Sequence, residues 1–153
     1  MAQPVPVPTH VTALQVLHPV DYEDAVAVQT STRHTPEEWA RLTFGSTPPA
    51  LRRFLRGVFK ILGSGQPQRP AEGAPLPGKI VRQGPDEFVL GFDLAMGLTA
   101  RVIMLNPPGQ VVMTTLVRFD SARGRAVWRV LAPVHRAVAR YLLDRAVDLG
   151  SPR

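Results

Sequence analysis

The chain has 153 residues, a length that suits one domain able to bury roughly two thirds of the surface its unfolded form exposes. Its apolar fraction of 44% and charged fraction of 20% are ordinary for a globular protein, and no apolar run nears the ~18 residues of a membrane span. The absence of cysteine excludes disulfides and thiol catalysis and fits a reducing cytoplasm. The net charge of +6 is carried almost wholly by arginine, with only Lys60 and Lys79 as lysines; the arginines scatter without a nucleic-acid motif, so such a partner is not expected.

Residues 1–20 read as an unstructured Pro-rich segment, with Pro4, Pro6 and Pro8 and neither the basic region nor the apolar core of a secretory signal. A single domain is expected over 21–149. Val26 and Val28 alternate with smaller or polar neighbours and predict a strand across about 24–30. Thr35-Pro36-Glu37-Glu38 then supplies an N-cap hydroxyl, a proline at the first helical position and a carboxylate at the third, which starts a helix carrying Trp39 and Leu42 and ending near Gly45. A second helix is predicted from Pro48-Pro49 to Gly63. It places Leu51, Phe54, Leu55, Val58, Phe59 and Leu62 on one face, with Arg52, Arg53, Arg56 and Lys60 as the solvated side.

Residues 63–78, rich in Gly, Pro, Gln and Ser, predict a flexible linker inside the domain. Within it, Gly73-Ala74-Pro75-Leu76-Pro77-Gly78-Lys79 matches the start of a phosphate-binding P-loop. The chemistry fails: Pro75 and Pro77 lack the N–H groups that would cradle phosphate, Ile80 replaces the magnesium-binding hydroxyl, and Ile80-Val81-Arg82 looks like a strand.

Three β-rich runs follow, Glu87 to Asp93, Thr99 to Leu105 and Val111 to Phe119, joined by the short turns Ala95-Met96-Gly97 and Asn106-Pro107-Pro108-Gly109. They predict an antiparallel meander. Pairing Phe92 with Ala100 and Met104 with Val112 gathers Phe88, Leu90, Phe92, Ala100, Val102, Met104, Val112, Thr114 and Leu116 on the interior face. Glu87, Asp93, Thr99, Arg101 and Thr115 fall on the other. A long amphipathic helix closes the chain. At ~100° per residue, Val127, Leu131, Val134, Val138, Leu142 and Leu149 form its apolar sector, with Trp128 and His135 at the edge and Pro133 expected to kink or divide it.

Catalytic signatures are thin. His10, His18, His34 and His135 form no metal-ligand spacing such as His-Glu-x-x-His, no Gly-x-Ser-x-Gly elbow is present, and Asp93 with Arg101 reads as a surface ion pair. No metal or cofactor is called for.

Asp21-Tyr22-Glu23-Asp24-Ala25, Thr35-Pro36-Glu37-Glu38-Trp39-Ala40, Leu90-Gly91-Phe92-Asp93, Thr114-Thr115-Leu116-Val117-Arg118 and Ala132-Pro133-Val134-His135-Arg136 with Leu142-Leu143 resemble an uncharacterised bacterial domain family. That family is similar to the START and birch-pollen-allergen-like, or polyketide cyclase-like (SRPBCC), superfamily. The resemblance implies an α+β helix-grip fold: a curved antiparallel sheet wrapped around a long C-terminal helix, with two short helices after the first strand. A histidine-rich turn often found there is here Ala95-Met96-Gly97-Leu98, which removes that histidine.

The resemblance implies a cavity for an apolar or amphipathic small molecule between sheet and helix, but no particular reaction, because the superfamily includes carriers, cyclases, hydrolases and stress proteins. Candidate lining residues are Trp39, Phe88, Leu90, Phe92, Val102, Met104, Thr114, Leu116, Trp128, Leu131, His135 and Val138. Thr114 and His135 are the polar anchors, each of which a structural role in the core would also explain. The expected function is that of a non-catalytic carrier or sensor. The alternatives are a cyclase- or isomerase-like enzyme with His135 as acid/base, and a protein-interaction domain whose cavity has collapsed.

Overall fold

Six strands form one open antiparallel sheet in the computed structural model, which describes residues 1–61, 76 and 78–152. The linker expected at 63–78 lies outside the described residues, apart from Leu76 and Gly78. Across the sheet the order is β1 (Gln3–Val5), β2 (Tyr22–Gln29), β6 (Gln110–Phe119), β5 (Leu98–Leu105), β4 (Glu87–Leu94) and β3 (Lys79–Gln83). The helices are α1 (His10–Ala13), α2 (Pro36–Gly45), α3 (Pro49–Ile61) and the 29-residue α4 (Ala122–Gly150). The architecture is therefore α+β, with α4 packed on α2 and across β2, β5 and β6. No helix among the described residues is long and apolar enough to cross a membrane.

Local chemistry fixes the element ends. The Thr35 hydroxyl accepts from the Glu38 N–H at 3.1 Å and the Glu38 carboxylate accepts from the Thr35 N–H at 2.7 Å, the reciprocal capping box read in the sequence. At the start of α4 the Ser121 hydroxyl accepts from the Gly124 N–H at 3.0 Å. Gly124 is required there, since a Cβ would lie 2.2 Å from the Gly97 carbonyl oxygen. Gly97 itself turns β4 into β5 with a φ of 87°, in the left-handed region that favours glycine. The helix is not divided at Pro133, which is exposed.

The β4–β5 register matches the sequence reading, with Phe92 opposite Ala100 and Leu90 opposite Val102. The β5–β6 register does not. Met104 faces Met113 and Leu105 faces Val112, a shift of one residue that turns Val112, Thr114 and Leu116 to the far side of the sheet and brings Val111, Met113, Thr115 and Val117 under α4. The loop explains the shift: Gln110 N–H donates to the Pro107 carbonyl at 3.1 Å, so β6 enters the ladder with a different offset from β5.

The far face is covered by residues 5–17, while Ala2 packs in the core under α4. Val11 and Leu17 are buried there, with Val5, Val7, Leu14 and Val16 partly buried over Ala25, Ala27, Val89, Ile103, Leu105, Val112 and Leu116. Arg101 Nε donates to the Val16 carbonyl at 3.1 Å and holds this cover down. The proline-rich start is thus an ordered layer and not the unstructured segment that its composition predicts.

The face of α4 that meets the sheet is also rotated from the expected one. Ala132, Ala139 and Ala146, spaced at i, i+7 and i+14, are buried with Trp128, Leu142, Leu143 and Val147, whereas Val134 and Leu149 are exposed. Small side chains let the helix axis approach the sheet closely. A reading weighted toward bulky aliphatics places the centre of the buried stripe about a quarter turn away.

Candidate functional site

The inner face of the sheet is arranged in cross-strand rows, and two of them end on polar residues of β2. Leu90, Val102, Thr115 and Asp24 form one row, and Phe92, Ala100, Val117 and Tyr22 the next. The alternation that buries Val26 and Val28 under α4 continues backwards along β2 and delivers Asp24 and Tyr22 to the same face. Above them, α4 presents Trp128 and His135, seven residues apart and therefore on one side of the helix.

These side chains make one connected corner. The Tyr22 hydroxyl donates to Asp24 Oδ2 at 2.5 Å, and Arg136 Nη1 donates to the Tyr22 oxygen at 3.2 Å. His135 Nε2 lies 3.4 Å from Asp24 Oδ2, within ion-pair reach but not aligned for a hydrogen bond. The Trp128 ring meets Tyr22 edge to face at 5.1 Å and His135 at 5.2 Å, so the indole is wedged between the other two rings. Leu98, Val117 and Ala132 are buried beside it, with Ala100, Phe119, Val127 and Leu131 half-buried at the margin.

Electrostatics keep the corner polarised. Burial alone pushes the Asp24 carboxyl up, but the approach of His135, the hydrogen bond from Tyr22 and the charge of Arg136 outweigh it and hold the group below its ordinary value. Tyr22 is pushed the other way, above its ordinary value, by burial and by its bond to the Asp24 carboxylate, with Arg136 opposing. Asp24 is thus an anion and Tyr22 a neutral donor to it. Two nitrogens remain without a hydrogen-bond partner among the described residues although neither atom reaches solvent: Trp128 Nε1 and His135 Nε2. An indole N–H is a donor only, so Trp128 can be satisfied only by an acceptor.

The residues expected to line a cavity separate into four groups. Trp39, Phe88, Leu90 and Met104 are buried together in the core between the sheet and α4, with Phe92 and Val102 packed half-buried against it. Thr114 and Leu116 belong to the opposite face because of the β6 register, so Thr114 is no anchor for anything held under α4. Trp128, His135 and Leu131 come together at the polar corner. Val138 lines an open apolar groove of about 400 Å³ with Pro48, Ala50, Leu51, Ala137 and Tyr141, on the outer side of the molecule.

The sequence reading holds Tyr22, Asp24 and Arg136 only within the family-like motifs and not as site residues. The available signal was an ionisable residue, Asp24, two positions before Val26 on what alternation makes the buried face, a place where a carboxylate needs partners. Compared with known proteins, the chain matches no family model and no curated protein.

Proposed function

We propose that the domain binds a small amphipathic molecule at the corner of Tyr22, Asp24, Trp128 and His135, as a non-catalytic carrier or sensor of the helix-grip type. The observation that carries this reading is the buried indole nitrogen of Trp128, which has no hydrogen-bond partner among the described residues and sits beside the His135 ring at the corner. A buried donor left unmade costs about 1–3 kcal/mol, and folded proteins rarely keep one without use. A ligand oxygen accepting from Trp128 removes that cost, while the apolar part of the ligand rests on Ala100, Phe119 and Leu131 at the half-buried margin.

The same residues limit the chemistry of the ligand. Because Asp24 is held ionised next to the site, a neutral acceptor such as a carbonyl, hydroxyl or ether fits better than a carboxylate. The packed centre, with Trp39, Phe88, Leu90 and Met104, supports a ligand held at the margin of the sheet and not one enclosed in the middle of the domain. The open antiparallel sheet and the long C-terminal helix support the helix-grip assignment.

Native mass spectrometry of the protein purified from its own host tests the reading. A co-purified small-molecule mass is expected in the wild type and is expected to vanish in Trp128→Phe. Absence of any such mass, or its persistence in that variant, contradicts the assignment.

One observation favours a second reading. The Asp24 carboxylate lies 3.4 Å from the His135 imidazole, close enough to orient it as a general base, as a cyclase- or isomerase-like enzyme would use. The two readings part on His135→Gln: an enzyme keeps its substrate affinity and loses turnover by about 10²–10⁴, whereas a carrier loses only a modest part of its affinity.

A further inference from the structure

Between Glu38 and Glu72 the chain has no acidic residue, and within that stretch α3 carries Arg52, Arg53, Arg56 and Lys60. At about 100° per residue these cations gather on one side of the helix, opposite Leu51, Phe54, Leu55, Val58, Phe59 and Ile61. Such a helix in a globular domain ordinarily buries its apolar side. Here no side chain of α3 is buried: Phe59 stacks on Phe92, but Phe54 is 52% exposed and Ile61 79%, each immediately preceded by a cation, Arg53 and Lys60.

The apolar surface continues onto α4. Val130, Val134, Ala137 and Tyr141, at i, i+4, i+7 and i+11, are exposed along its outward side, and Ala137 and Tyr141 share the open groove with Pro48, Ala50 and Leu51 of the α3 end. Arg129 and Arg140 are exposed beside this stripe; the acidic Asp144 and Asp148 come only after Tyr141.

We propose that this face is a peripheral docking surface for an anionic lipid membrane, with Phe54 and Ile61 entering the boundary between headgroups and acyl chains and the flanking Arg53 and Lys60 reaching lipid phosphates. Charge complementarity selects the occupant. A basic polar side joined to exposed Phe and Ile is the composition of helices that lie in a membrane interface. A nucleic acid would use the cations and leave the apolar residues between them without a role. A second copy of the chain, packed by a two-fold axis, would set the same cations against one another. The surface uses none of the polar corner's residues, so docking and ligand binding are separable by experiment.

The test is co-sedimentation of the full chain with phosphatidylcholine vesicles made with or without phosphatidylglycerol. At ~0.1 M salt the protein is expected to pellet with the anionic vesicles only, and to be largely released at ~1 M, where the screening length falls to about 3 Å. Arg53→Gln and Lys60→Gln are each expected to lower partitioning roughly fivefold, the equivalent of ~1 kcal/mol per cation near an anionic surface. The double variant Phe54→Ser with Ile61→Ser, checked for an unchanged melting temperature, is expected to stay in the supernatant. Equal pelleting with both vesicle types, no pelleting at all, or undiminished pelleting of the folded double variant overturns the proposal. So does a wild-type dimer that Phe54→Ser converts to monomer without any vesicle association, which assigns the face to a second copy.

Discussion

Replacing Trp128 with phenylalanine separates the indole N–H from the rest of the side chain. The ring contacts with Tyr22 and His135 at 5.1 and 5.2 Å can be kept by a phenyl group, and what disappears is the second ring with its unpartnered nitrogen. Aromatic side chains bury about 150–250 Å², so the exchange removes some 50 Å² of buried surface, or ~1.2 kcal/mol at 25 cal/mol per Å². Against this stands the relief of a buried, unsatisfied donor, about 1–3 kcal/mol. The relief offsets or exceeds the loss, and the ligand-free Trp128→Phe protein is predicted to lie between ~0.2 kcal/mol less stable and ~2 kcal/mol more stable than wild type. A Trp whose N–H was bonded to a protein acceptor would lose both terms, roughly 2–4 kcal/mol. Urea denaturation followed by far-UV circular dichroism gives the difference from the midpoint at constant slope. A loss of ~3 kcal/mol or more would refute the reasoning, because it would mean that the nitrogen is already satisfied within the folded chain.

Asp24→Asn is expected to cost ~1.5–3 kcal/mol at neutral pH, since the hydrogen bond from Tyr22 loses its charged acceptor and Arg136 loses the anion it faces. The folded carboxyl is depressed, so its contribution is complete above the ordinary value of 3.8 and is lost as pH falls through the folded value; the gap between wild type and variant should close over that acid range in equilibrium unfolding. Ala139→Leu should lose ~1–3 kcal/mol by overpacking the α4–sheet contact, while Val134→Leu should change stability by under ~0.5 kcal/mol; the reverse order in thermal melts would mean that the helix faces the sheet by its bulky stripe. Removing residues 1–17 should lower the melting temperature sharply, and more than Leu116→Ala at ~2–5 kcal/mol, because it uncovers the whole far face; an unchanged melting point would contradict the second layer.

Local signals were legible because each is read from a few adjacent residues. The Thr35–Glu38 capping box, the glycine turn at Gly97 and the β4–β5 register it sets, and the rejected P-loop followed by β3 at Lys79–Gln83 all belong to this class. The β6 register was not legible, because that strand is apolar on both faces. Val111, Met113 and Val117 alternate with Val112, Thr114 and Leu116, and a pattern without a polar side cannot say which set faces the helix. The rotation of α4 was hidden for a related reason, since its buried stripe runs along alanines that carry little hydrophobic weight. The polar corner needed more again. Trp128 and His135 share a helix face that spacing reveals, but their partners Tyr22 and Asp24 come from the other end of the chain, through the β2–β6 pairing.

The indole resonances of the protein test the central claim most directly. With only two tryptophans, Trp39 and Trp128, the ¹H–¹⁵N spectrum of the uniformly labelled protein holds two indole N–H peaks, assignable with Trp128→Phe. Titration with the small molecule recovered from the host is predicted to shift the Trp128 peak downfield as its N–H gains an acceptor, and to leave Trp39, buried in the core, nearly still. An unmoved Trp128 peak at saturating ligand, or a shift confined to Trp39, would contradict a binding site at this corner.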